Sequence, residues 1–141
     1  MSLVVDASVA VCWFTRENAS PAANGLLRSN EELIAPSLLC VEVANTAWKK
    51  LRLGEMTEEQ AIAATVELRR FVRDLAPVES LAREAFALAN ETNHSVYDCV
   101  YLALALQKDV PFVTLDEGFI RALKPSRHGS RVVHLEDWRP G

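Results

Sequence analysis

Two rhythms of apolar residues alternate along the chain. Short apolar runs at Leu3–Val5, Leu33–Ala35, Leu75–Val78, Pro111–Leu115 and Arg131–Leu135 read as strands. Between them, apolar residues recur at steps of three and four, the spacing of one helix face. Asp6–Phe14 reads as a turn and a short helix. Ser20-Pro21 reads as a helix start, with Ser20 as the cap and Pro21 at the first helical position. From Pro36 to Leu53 the stripe Leu38, Val41, Ala44, Trp48 and Leu51 predicts a helix ended by Gly54, with Lys49, Lys50 and Arg52 in its last turns. Thr57-Glu58-Glu59-Gln60 is a capping box that opens a helix carrying Ala61, Ala64, Leu68 and Phe71, and Ser80 is expected to cap another carrying Leu81, Ala85 and Leu88.

Val96–Leu106 breaks the pattern because it is apolar almost all round. Such a helix is buried on most sides, which makes its one acid, Asp98, costly unless it has a partner. A short helix through Phe119 and Leu123 precedes the last strand. Strands alternating with helices predict an α/β fold with a mainly parallel sheet covered on both faces.

Composition narrows this picture only slightly. The 141 residues are half apolar and 24% charged, as expected of one soluble globular domain over 1–141. No apolar run approaches the ~20 residues of a membrane span. The start, Met1-Ser2-Leu3-Val4-Val5-Asp6, lacks a basic leader region, so a cytoplasmic protein is expected. Cys12, Cys40 and Cys99 are odd in number, lie in apolar settings and lack zinc-pair spacing, so they read as small buried residues. A net charge of −4 argues against a broad basic nucleic-acid face, though not against nucleic acid held through bound cations.

The nineteen acidic residues are therefore informative mainly through their neighbours. Most lie in polar runs. Asp6, Glu42, Asp98 and Asp116 each sit among apolar residues, and Asp6 and Asp116 directly follow strands. In an open parallel sheet, ligands bind beyond the carboxyl ends of the strands. Asp98 lies near a helix N-terminus, where the dipole favours an anion. Four converging carboxylates would repel one another and raise their own pKa values. Divalent cations such as Mg²⁺ or Mn²⁺ suit an all-oxygen set and relieve that conflict, and they serve phosphodiester hydrolysis by activating water and stabilising the leaving oxygen. Taken singly, each acid has an ordinary reading: Asp6, Asp98 or Asp116 as a helix cap, and Glu42 as an ion-pair partner of Lys49. Spacing alone does not show that they meet.

The string Val4-Val5-Asp6-Ala7-Ser8 comes first, then Ala35-Pro36-Ser37-Leu38-Leu39 leading to Glu42 and Asn45. Tyr97-Asp98-Cys99-Val100-Tyr101-Leu102-Ala103-Leu104-Ala105 and Thr114-Leu115-Asp116 follow in order. Together, over about Leu3 to Val133, they resemble the PIN-domain nucleases, and more narrowly the VapC-type toxins of toxin–antitoxin pairs. The resemblance implies a PIN-like fold with a five-stranded, mainly parallel sheet, and a metal-dependent endoribonuclease acting as a toxin. It carries the family's acidic quartet onto Asp6, Glu42, Asp98 and Asp116, with Mg²⁺ or Mn²⁺ as cofactor. Its polar supporting positions fall on Ser8, Asn45 and Thr114, whose chemistry suits holding a carboxylate or a water. Glu117 is a further acid beside the set and a fourth supporting candidate, which would touch the metal or a water. A homodimer is implied, as is a cognate VapB-type antitoxin whose tail enters the acidic groove.

Several residues are set aside. His94, His128 and His134 are scattered among different elements, and Asp137 reads as a solvated cap. Tyr97 and Tyr101 read as core or dimer contacts. Trp13, Phe14 and Trp48 are large enough to anchor a protein interface, and Lys49, Lys50, Arg52, Arg69, Arg70, Arg73, Arg127 and Arg131 are the cations available to RNA phosphates. A PIN-type nuclease of RNA processing and a non-catalytic interaction domain are the competing readings. A phosphoryl-accepting domain, which also places Asp after its first strand, would want a second acid near Ser8 and a Lys near Asp116, and has neither.

Overall fold

β1 (Ser2–Val5) sits at the centre of the sheet, and the chain builds outward from it on both sides. The computed structural model describes residues 1–140. After β1 come α1 (Ala7–Ala10), α2 (Ser20–Arg28), β2 (Glu32–Pro36), α3 (Leu38–Arg52), α4 (Glu58–Glu67), β3 (Asp74–Ala76), α5 (Ala82–Thr92), α6 (Val96–Lys108), β4 (Phe112–Thr114), α7 (Glu117–Leu123) and β5 (Val132–His134). The strand order is β3-β2-β1-β4-β5, and every pairing is parallel.

Successive strand residues face opposite sides of a sheet. In β1, Leu3, Val4 and Val5 are all buried, as are all three residues of β4, so both faces of the central strands are covered. This is the burial that unbroken apolar runs predict for a parallel α/β sheet. α6 packs against β1, β2 and β4, and Cys99 through Ala105 are buried without a gap. The Tyr101 ring stacks on Phe112 with centroids 5.6 Å apart. The thiols are free, Cys12 and Cys99 buried and Cys40 only partly so. No helix of the described residues is long and apolar enough to cross a membrane.

Several local expectations differ. The capping box at Thr57 and Gln60 forms as expected. Ser20 instead lies inside α2, where its hydroxyl donates to the Thr15 carbonyl and accepts from the Glu17 N–H, tying down the preceding loop. Ser80 falls in a tight turn and donates to Pro77, so α5 begins without a side-chain cap. Pro36 ends β2 from within. The largest difference is in α3, whose buried face is Leu39, Val43 and Ala47, while Val41 and Trp48 of the apolar stripe are 68% and 52% exposed. α3 carries two apolar stripes, and periodicity does not say which one turns inward.

β1 and β4 are neighbours, although three-quarters of the chain separates them. The connections leave β1 toward β2 on one side and return to β4 on the other. The carboxyl ends of β1 and β4 therefore flank the point where the strand order reverses, the usual crevice of an open α/β sheet.

Candidate metal centre

Asp6 is the first residue beyond β1 and the N-cap of α1. Its Oδ1 accepts from the Ser8 hydroxyl at 2.6 Å and the Val9 N–H at 3.3 Å, and its Oδ2 accepts from the Thr114 hydroxyl at 2.5 Å. Thr114 is the last residue of β4, so this bond ties the two strand ends together. Ser8 also accepts from the Leu115 N–H at 3.1 Å, and Thr114 accepts from the Asp116 N–H at 3.1 Å. The Ser8 and Thr114 hydroxyls thus bind both turns into one network around Asp6.

Asp116 caps α7 through Oδ1, which accepts from the Phe119 N–H at 3.0 Å. Asp98 occupies the first turn of α6, where the Ser95 hydroxyl accepts from its N–H at 3.3 Å and donates to its Oδ2 at 3.2 Å. Glu42, on α3, accepts from the Tyr101 hydroxyl at 2.6 Å. Three of the four acids are therefore held at helix N-termini, where free N–H groups and the dipole favour negative charge. Capping and convergence are satisfied by the same side chains.

All four acids line one cleft of about 190 Å³, together with Ser8, Asn45, Thr46 and Tyr101. A larger hollow of about 650 Å³ lies beside it and shares Ser8 and Thr46. Chemistry rather than volume marks the smaller one. Burial pushes Asp6 up to about 6 despite its hydrogen bonds, and the Asp98 charge adds to the rise. Burial likewise raises Glu42 and Asp98, with Asp98 acting on Glu42 and Asp116 acting on Asp98. Asp98 is thus coupled to each of the other three. A cation would relieve this electrostatic conflict.

The oxygen-only donor set fits a hard divalent ion. Among the described residues, no three His, Cys, Asp or Glu side chains are drawn tightly enough to form a ready-made ligand cluster. Each acid is instead held by its own hydrogen-bond partners around a shared space. That arrangement suits an ion such as Mg²⁺, which keeps several waters and takes only one or two carboxylates directly.

Glu117 is not among the cleft residues. It follows the Asp116 cap, so the helix turns it outward, and it lies 77% exposed with Oε1 3.8 Å from His134 Nε2. Asn45 lines the cleft but is itself exposed. Two residues that sequence reasoning set aside belong to the site. Tyr101 reads as a core aromatic, and its ring is buried, but its hydroxyl reaches Glu42. His94 accepts from the Ser95 N–H at 3.0 Å, with the same Nδ1 lying 3.1 Å from Asp98 Oδ2. Ser95, three residues before Asp98, was detectable as a cap; Tyr101 and His94 carried no comparable signal. Trp13 and Phe14 are partly buried and pack on Phe71.

The PIN domain family model matches residues 3–124. The chain belongs to the PIN domain family. It is 38% identical over 119 residues to Ribonuclease VapC3 of Pyrobaculum aerophilum, covering 82% of this chain and 90% of that protein. Ribonuclease VapC1 of Mycobacterium tuberculosis is 33% identical over 114 residues, covering 80% and 84%. Among solved structures, PAE2754 from Pyrobaculum aerophilum superposes with a TM-score of 0.69 at 21% identity, covering 96% of this chain and 90% of that one. Mycobacterium tuberculosis VapC20, a sarcin–ricin loop cleaving toxin, gives 0.63 at 18% identity, covering 85% and 94%. These two structural likenesses speak to the PIN fold. Nucleases of the PIN family generally depend on divalent metal ions.

Proposed function

We propose that this PIN-domain chain is a divalent-metal-dependent endoribonuclease and the toxin of a toxin–antitoxin pair, working through Asp6, Glu42, Asp98 and Asp116. The observation that carries the reading is the sharing of one cleft by these four acids, three of them with raised pKa values. The two ribonuclease relatives, each matched over most of its length, support the substrate class and the toxin role.

In this reading the four carboxylates hold Mg²⁺ or Mn²⁺, and the bound ion supplies positive charge for the phosphate and a more acidic water. The chain's own residues do the positioning. Ser8 and Thr114 hold the Asp6 carboxylate, Tyr101 holds Glu42, and Ser95 holds Asp98, so the acids enter the reaction already oriented. Asn45, at the cleft edge, offers an amide to a substrate oxygen. Hydrolysis by water attack leaves 5′-phosphate and 3′-hydroxyl ends.

The further parts of the proposal are a single domain over residues 1–141, a cytoplasmic location, a VapB-type antitoxin partner and a homodimer. Exposed Phe86, Val96 and Tyr97 on α5 and α6 supply apolar surface for a second copy.

The test is cleavage-site mapping across total cellular RNA, wild type against Asp6→Asn, with Mg²⁺, with Mn²⁺ and with excess chelator. Discrete cuts that need metal and Asp6 are expected. Undiminished cleavage in chelator would sink the metal mechanism, and no cleavage by the wild type would sink the ribonuclease reading. Growth arrest on expression, relieved by an adjacent antitoxin gene, tests the toxin role.

A further inference from the structure

α3 continues past the acidic cleft as an exposed strip of a different character. Residues three, four and seven apart share a helix face. Glu42 and Asn45 line the cleft, and the same side of the helix runs on through Lys49 to Arg52, with Trp48 on its flank. Asn45, Lys49 and Arg52 are exposed, and Trp48 is 52% exposed.

The charges on this strip are available. Lys50, nearer the core side of the helix, is engaged by Glu17 at 2.9 Å and Glu55 at 3.6 Å. Among the described residues, no carboxylate pairs with Lys49 or Arg52. The Arg52 guanidinium lies 4.9 Å from the centre of the Trp48 ring, a weak exposed contact from which a phosphate can draw it away. A protein of net charge −4 thus carries unpaired cations beside an exposed indole, one to two helical turns from its acidic cleft.

We propose that single-stranded RNA leaves the cleft along this face of α3. An unpaired base stacks on Trp48, and the neighbouring phosphates meet Lys49 and Arg52. The rise from Asn45 to Arg52 is about 10 Å, room for about two or three nucleotides. Aromatic stacking beside unpaired cations is the chemistry of single-strand binding. A protein-interface core is instead depleted in lysine. The inference rests on the ribonuclease reading and adds to it where the strand lies.

The test is steady-state cleavage of a single-stranded RNA by the full chain in Mg²⁺ at several salt concentrations. Lys49→Gln/Arg52→Gln is expected to raise KM about tenfold or more with kcat little changed. It should also flatten the dependence of log kcat/KM on log salt by about 1.4, about 0.7 for each phosphate that no longer meets a cation. Trp48→Ala is expected to raise KM between about five- and a hundredfold, and Trp48→Phe to recover most of that loss. The charge variant keeps the test decisive should Trp48→Ala fold poorly. An unchanged KM and salt slope in the charge variant overturns the inference while leaving the nuclease reading intact. Loss of self-association or of antitoxin binding with RNA kinetics unaltered also overturns it, making the face a protein interface. Absence of RNA cleavage by the wild type overturns the nuclease reading and this inference together.

Discussion

The Tyr101 hydroxyl, carried on α6, donates to Glu42 on α3 at 2.6 Å, while its ring is stacked on Phe112 in the core. One side chain thus couples the packing of the sheet to the placement of an acid in the cleft. Burial, together with the adjacent carboxylate, pushes the phenol pKa up, so it stays a donor at any working pH.

Tyr101→Phe keeps the ring and removes only that donor. The expected result is a protein of near wild-type melting temperature whose half-maximal Mg²⁺ concentration for RNA cleavage rises about tenfold or more. An unchanged metal titration would show that Glu42 needs no such support.

Thr114 is fully buried; it donates to Asp6, accepts from the Asp116 N–H and lies 3.4 Å from the Ser8 hydroxyl. Thr114→Val preserves shape and strips both bonds, leaving a partly buried N–H unpaired at a cost of about 1–3 kcal/mol. Cleavage is expected to fall more than about tenfold and denaturant stability by that amount, whereas Thr114→Ser restores most of both. A Val variant that cleaves and unfolds like wild type, with the Ser variant impaired, would mean that the methyl group, not the hydroxyl, matters.

Asp6 links the site to pH. Its folded pKa, about 6, lies above its ordinary 3.8, so the folded state binds the proton more tightly than the unfolded chain. The resulting stabilisation is fully present below about pH 3.8 and is lost as pH rises through about 6, a change on the order of 3 kcal/mol. Glu42 and Asp98 shift in the same direction. In chelator, Asp6→Asn is expected to be more stable than wild type at about pH 7.5, with the gap closing by about pH 4. Excess Mg²⁺ should narrow the gap at the higher pH by binding wild type preferentially. Urea unfolding of both proteins across that range is the measurement. A wild-type advantage at the higher pH without metal would contradict the strained-acid picture.

The acids were legible because an acid amid apolar neighbours is costly and needs a reason. Asp6 and Asp116 could be assigned to strand ends because β1 and β4 are continuous apolar runs. That these ends are adjacent depends on the order in which strands join the sheet, which no local pattern carries. Tyr101 was hidden for the same reason that α6 was easy to find. In a helix apolar on nearly every side, a tyrosine reads as one more core ring, and its hydroxyl leaves no trace in the periodicity. His94 precedes the cap of α6 and reaches Asp98 only because the chain folds back there, through Asn93 at φ 55°. The inward face of α3 was not legible, because both of its stripes are apolar. α3 packs chiefly on α4 and α1, with Leu39, Val43 and Ala47 buried and Trp48 left outward beside Lys49 and Arg52.

Gly129 offers a control that separates fold from site. It opens the turn into β5, and a Cβ there would lie 2.8 Å from the Lys124 carbonyl oxygen and 2.9 Å from that of Leu123. Both obstacles are backbone at the end of α7, so neither can swing aside as a side chain would. Gly129→Ala is expected to cost about 1–3 kcal/mol, lowering the melting temperature by about 3 °C or more. Gly129 does not line the acidic cleft. Metal-dependent cleavage well below the melting temperature should therefore keep its wild-type rate and Mg²⁺ requirement. A variant that melts normally would show that the turn relaxes to admit the methyl group. One that melts normally yet loses cleavage would show that the β5 edge shapes the cleft.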